Sequence, residues 1–116
     1  MSPDTFDLIV LGAGSGGLNL ASFANRVGLR VLLVDRSALH VGGDCLNYGC
    51  VPSKALIRAA RTLAAAREAE RFGVRVSGDV SLKAVRDFIK NTQEVFRTHE
   101  NPSYLRENIR LKAKER

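Results

Sequence analysis

Apolar residues run together near the start of the chain and space out to a helical period later. Asp7-Leu-Ile-Val-Leu11 is a continuous apolar run closed by Gly12, which predicts a strand covered on both faces, as in a parallel sheet. Leu18 to Val27 is rich in Ala and Leu and predicts a helix with Gly28 at its C-cap. Leu29-Arg-Val-Leu-Leu-Val34 is a second, partly β-branched run and ends in Asp35. A strand, a glycine turn, a helix and a strand make one unit whose strands should be parallel neighbours joined by a right-handed crossover.

The segment up to Gly42 carries no period. Ala55 to Glu70 is dense in Ala, Leu and Arg, and Pro52 suits a first helical turn, so a long helix is predicted to start there and finish before Gly73. Between Asp79 and Thr98, Val85, Phe88, Ile89, Thr92, Val95 and Phe96 recur at helical spacing, predicting a helix with one dry face. Asn101-Pro102 reads as a turn or a new helix start. The tail Asn108 to Arg116 alternates apolar and basic residues, as a half-exposed strand would, but stops without a following turn or partner. These elements define an α/β fold with a parallel sheet.

A length of 116 residues holds one ordinary domain. With 45% hydrophobic and 26% charged residues, collagen-like, low-complexity and wholly disordered chains are excluded. The run Leu8 to Leu11 is far short of a membrane span and follows no basic leader, so a cytoplasmic protein is expected. The net charge of +6 lies entirely beyond Ile57, because Arg26, Arg30, Arg36 and Lys54 are balanced by Asp4, Asp7, Asp35 and Asp44. Beyond Ile57 the cations alternate with Glu at helical spacing. That favours a solvated helical face, with a basic nucleic-acid-binding module as a distant alternative.

Gly12-Ala-Gly14-Ser-Gly16-Gly17 contains a GxGxxG pattern, which arises often by chance. Here it follows a predicted strand and opens a predicted helix, and Asp35 ends the next strand at the distance a dinucleotide fingerprint requires. Gly12 would permit the tight turn, Gly14 would let a pyrophosphate approach the backbone, and Gly17 would let helix and strand pack closely. The phosphates would meet the free N–H groups of the helix start. Asp35 would accept hydrogen bonds from the ribose hydroxyls, and Arg36 leaves room for a 2′-phosphate instead.

Cys45 and Cys50 are the two cysteines, and buried small hydrophobes in a reducing cytosol would account for them. They flank a short glycine-containing segment just before Pro52, so both sulfurs can meet at the start of the following helix, where a thiolate is favoured. A zinc site would want more ligands than these and the distant His40 and His99. No metal site is expected, and a reversible disulfide fits better, with Cys45 the more accessible sulfur.

From Gly42 to Lys54 the chain resembles the flavin-dependent pyridine nucleotide disulfide oxidoreductases, the class I group of dihydrolipoamide dehydrogenase, glutathione reductase and mercuric reductase. That family carries GG-x-C-x-N-x-GC-[IV]-PSK, matched here by Gly42, Gly43, Cys45, Asn47, Gly49, Cys50, Val51, Pro52, Ser53 and Lys54. The resemblance implies a Rossmann-like FAD-binding domain in which Gly12, Gly14, Gly17, Asp35, Gly43, Asp44 and Lys54 bind the cofactor. It implies that Cys45 is the interchange thiol facing substrate and Cys50 the thiol beside the flavin, in charge-transfer contact with it. Lys54 would lie near the flavin's reactive edge, where its charge stabilises the reduced ring. Asp44 stands where Thr is common and Asp35 where Glu is more usual.

Members of this family are several times longer, adding an NAD(P)H domain and a dimer interface domain with an acid–base pair. Residues 1–116 are therefore expected to be the N-terminal part of a FAD-binding domain, with an incomplete sheet, lacking the NAD(P)H and dimerisation domains. The partners implied are FAD, a C-terminal portion or split subunit, and a second copy in the parent homodimer, with NAD(P)H as electron donor; no nucleic acid and no membrane span are expected. The parent would be a flavoprotein disulfide oxidoreductase, and this chain alone inactive. A non-catalytic dinucleotide-binding remnant is the alternative.

Overall fold

The computed structural model describes residues 5–100 and 102–113. Strand β1 (Leu8–Leu11) leads through the glycine turn into helix α1 (Ser15–Arg26), and strand β2 (Val31–Asp35) follows. A 3-10 turn at Ala38–His40 precedes a short helix, α2 (Gly43–Asn47), and the long helix α3 (Cys50–Glu68), which ends in a 3-10 turn at Ala69–Phe72. Helices α4 (Leu82–Arg97) and α5 (Pro102–Asn108) and strand β3 (Arg110–Ala113) complete the described chain.

The three strands form one parallel sheet in the order β1-β2-β3, with Val10 opposite Leu33 and Leu33 opposite Leu111. The expected parallel pair is thus present, and the basic tail does have a partner: β3 lies on β2. The alternation is that of a half-exposed strand, Leu111 buried between exposed Arg110 and Lys112. Residues 114–116 of that tail, like Asn101 of the proposed turn, lie outside the described residues.

The core is where the sheet meets α1 and α5. Leu18, Ala21 and Ala24 of α1, Leu105 of α5 and the adjoining Ile109 pack with Val10, Val31, Leu33 and Leu111. The prediction that both faces of the first strand are covered fails for β1, whose Ile9 and Leu11 are 57% and 80% exposed; it holds for the central β2, where Val31, Leu32 and Leu33 are all buried. A central strand has neighbours and helices on it, whereas β1 lies at the edge. Asp7 fixes the entry to β1, its carboxylate accepting from the Arg30 backbone N–H at 2.8 Å and facing the guanidinium at 3.5 Å.

Helix α3 begins two residues before Pro52, which leaves the proline in the first turn, where a missing N–H costs nothing. Its 3-10 extension closes on Gly73, as expected. Helix α4 starts where Ser81 Oγ accepts from the Ala84 N–H. Its expected dry face is only half covered, because α4 packs mainly on α3 and α2; Phe88 and Phe96 remain 41% and 48% exposed. The described chain is accordingly elongated, 72 Å in its longest dimension. Among the described residues no helix is long and apolar enough to cross a membrane.

Candidate functional site

The glycine loop is built by two steric demands. Gly12 turns the chain out of β1 with φ +99°, a conformation that favours glycine, while its N–H donates to Val34 O at 2.7 Å. A Cβ on Gly17 would lie 1.9 Å from Gly12 O and 3.3 Å from Val10 Cγ1, so α1 reaches this close to β1 only with glycine there. Gly14 precedes α1 in extended conformation, and no side chain caps the first turn of that helix. The free N–H groups therefore face outward as an anion-binding terminus does.

Asp35 lies at the end of β2, beside the loop. Its Oδ2 accepts from the buried Ala13 N–H at 2.7 Å and its Oδ1 from the Ser37 N–H at 3.1 Å. From the sequence alone, a ribose is the expected partner of this carboxylate. The structure shows that it holds the glycine loop against β2.

A second glycine segment docks on the first. Gly42 N–H donates to Ala13 O at 2.8 Å, and a Cβ on Gly43 would meet Gly14 Cα at 2.8 Å, so the two backbones touch without side chains between them. An open cleft of about 510 Å³ lies beside this contact, lined by Gly12, Asp35, Gly43 and Asp44 together with Arg36 and His40. Four of the sequence-predicted cofactor residues thus share one cleft. Gly14 and Gly17 do not line it: Gly14 meets Gly43, and Gly17 packs on Gly12 and Val10. His40, read earlier only as a poor zinc ligand, is the addition here: its Nδ1 is buried without a hydrogen-bond partner. Its place five residues after Asp35 was the one available signal.

Helix α2, which the sequence did not predict, carries the chemistry away from this cleft. Asn47 closes it on itself, its Nδ2 donating to Gly43 O at 2.8 Å and Val41 O at 3.3 Å. Tyr48 N–H and Gly49 N–H both donate to Asp44 O, turning the chain so that Cys50 starts α3 next to Cys45. Both cysteines are thiols. Hydrogen bonding to the Cys50 thiol, and then burial, push the Cys45 thiol above its ordinary value, with the nearby Lys54 cation pulling weakly the other way.

The accessibility order is the reverse of the expectation. Cys50 is exposed and Cys45 half-buried, because Cys45 sits within α2 under α4 while Cys50 stands at the open end of α3. The two sulfurs share a cleft of about 390 Å³ with Lys54, Arg58, Phe88 and Phe96. Sequence reasoning found the thiols and Lys54 but missed the others. Arg58 lies one turn beyond Lys54, and Phe88 and Phe96 carried a helical period that reads as core.

Comparison with known proteins adds to this geometry. A family model described as pyridine nucleotide-disulphide oxidoreductase matches residues 6–114. The dihydrolipoyl dehydrogenase of Thermus scotoductus is 47% identical over 79 residues, covering 68% of this chain and 17% of that protein. Dihydrolipoyl dehydrogenase 3 of Pseudomonas aeruginosa is 41% identical over 107 residues, covering 83% and 22%. Among solved structures, the HOCl-induced flavoprotein disulfide reductase RclA of Escherichia coli superposes with a TM-score of 0.68 at 20% identity, over 94% of this chain and 21% of that one. The chain thus spans about a fifth of the length of such relatives.

Proposed function

The chain belongs to the pyridine nucleotide-disulphide oxidoreductase family, and on that premise we propose that residues 1–116 form the N-terminal part of a FAD-binding domain whose Cys45 and Cys50 exchange two electrons with a disulfide substrate. The observation that carries this reading is the backbone contact between the two glycine segments: Gly42 and Gly43 bring the dithiol helix α2 directly onto the dinucleotide-type loop.

The residues fit the cofactor. The cradle at Gly14 and Gly43 is one that side chains would fill, α1 opens on it without a capping side chain, and Asp35 presents a carboxylate beside it. A diphosphate would meet the N–H groups of α1, a ribose would meet Asp35, and Asp44 and Lys54 complete the set. When bound, FAD supplies two-electron carriage between a nicotinamide donor, NAD(P)H, and the dithiol.

The chain's own residues account for the exchange. By family resemblance the Cys45 thiolate attacks one sulfur of a substrate disulfide, forming a mixed disulfide and releasing the first substrate thiol. Cys50 then attacks the Cys45 sulfur, releases the second substrate thiol and closes the Cys45–Cys50 bond. The substrate gains two electrons and two protons, and the dithiol loses them. Lys54 favours the attacking thiolate, since its charge acts to lower the Cys45 pKa. The same reading puts the protein in a reducing cytoplasm, assigns turnover to the whole enzyme and its homodimer, and leaves this chain alone inactive.

Thiol trapping followed by mass spectrometry tests the central pair. Mild oxidation is expected to protect both cysteines from alkylation, with dithiothreitol restoring both. Two freely alkylated cysteines after oxidation would reject a redox-active pair.

A further inference from the structure

The loop that joins the two cysteines is held from outside by α4. Helix α2 has only five residues, so its last carbonyls have no partners within it. Gln93 Nε2 donates to two of them, Leu46 O and Asn47 O, at 3.0 Å each, across 47 and 46 residues of chain. One turn further along α4, Arg97 Nη2 donates to Asn47 Oδ1 at 2.8 Å while its Nη1 holds Glu94 at 2.5 Å. Asn47 in turn ties down Gly43 O and Val41 O through its amide. Gln93, Arg97 and Asn47 are all half-buried, which limits the competition of water for these bonds.

We propose that Gln93 and Arg97 are positioning residues for the Cys45–Cys50 pair: by fixing the intervening segment they hold the two sulfurs at bonding range and lower the reduction potential of the disulfide. The inference rests on the proposed redox role of the pair. Its physical basis is effective concentration. A thiol already held beside its partner loses little freedom when the bond closes, so the disulfide is favoured; a loosened loop must be ordered first, and the disulfide becomes easier to reduce. The hydrogen bonds of both residues go to the segment between the cysteines and to Glu94, so they act on the pair through that segment.

The test is equilibration of the chain in glutathione redox buffers of graded ratio, with quenching by acid and alkylation and counting of free thiols by mass. In this reaction the two S–H bonds of Cys45 and Cys50 break and one S–S bond forms, while glutathione disulfide takes up two electrons and two protons as two glutathione molecules. Gln93→Met keeps the length and helix propensity of the side chain but removes the donor. It is expected to weaken the disulfide about tenfold, a rise in potential of ~30 mV. Gln93→Lys, which restores an N–H donor, is expected to recover most of that loss. If Gln93→Met loses its helical circular dichroism, Arg97→Gln, which frees Asn47 Oδ1, is read in the same way. A variant that keeps its helical signal and titrates at the wild-type ratio or at a lower potential overturns the proposal. A wild-type chain that stays fully reduced at every ratio overturns the redox-pair reading itself and the positioning role with it.

Discussion

A methyl group at position 17 has nowhere to go, since it would lie 1.9 Å from the Gly12 carbonyl oxygen, a backbone atom. Gly17→Ala is therefore expected to destabilise the fold by about 3 kcal/mol, the upper end for an overpacked site, measured as a lowered urea midpoint. Gly14 differs, because a Cβ there meets only Gly43 Cα at 3.9 Å. Gly14→Ala is expected to leave the melt nearly unchanged, whereas Gly14→Val is expected to weaken dinucleotide binding, and undiminished FAD binding by a folded Gly14→Val protein would count against the fingerprint. At the thiols, the Cys45 pKa is raised chiefly by its hydrogen bond to Cys50. A raised pKa keeps the neutral thiol to higher pH, so alkylation of Cys45 should climb only as pH rises through that value. In Cys50→Ala the pH of half-maximal Cys45 reactivity is expected to fall; an unchanged or higher midpoint would contradict the assigned cause.

Ser81 caps α4 through the Ala84 N–H, and Ser81→Ala is expected to cost about 1 kcal/mol. The loss should show as faster amide exchange in the first turn of α4, with β2 unaffected. Elements with a strong period or punctuation were legible from the sequence: β1, α1 and β2 from apolar runs and glycines, α3 from Pro52 and Gly73, α4 from its repeat of apolar residues. Helix α2 was not, because five residues beginning with glycine carry no period and owe their shape to Asn47 and to Gln93 of a distant helix. For the same reason the sequence hid Gln93 and Arg97, polar positions that read as solvated until α4 is seen against α2. The tail alternation did indicate a strand, but pairing with β2 is a long-range event that no local pattern announces. Asp35 ends β2, as its apolar run indicates, but its bond to the Ala13 N–H was not legible, since it depends on how the glycine loop curls back over β2.

Taken whole, the described chain exposes large apolar side chains: Leu11 is 80% exposed, Phe23 66% and Val95 63%, and β1 forms an outer edge of the sheet. Open edges and apolar patches drive association, so the isolated chain is expected to self-associate as concentration rises, read by light scattering. Supplying, as a separate chain, the remaining length typical of its relatives is expected to suppress that association and raise the melting temperature by mass action; a sharp-melting monomer indifferent to the added chain would refute this. One spectrum reads both halves of the site together. FAD is titrated into the chain, and the visible absorbance is recorded before and after dithiol reduction, in wild type and in Cys50→Ser. The expectation is saturable binding and, on reduction, a long-wavelength charge-transfer shoulder that Cys50→Ser lacks. A folded chain that fails to bind FAD, or identical spectra for the two proteins, would contradict it.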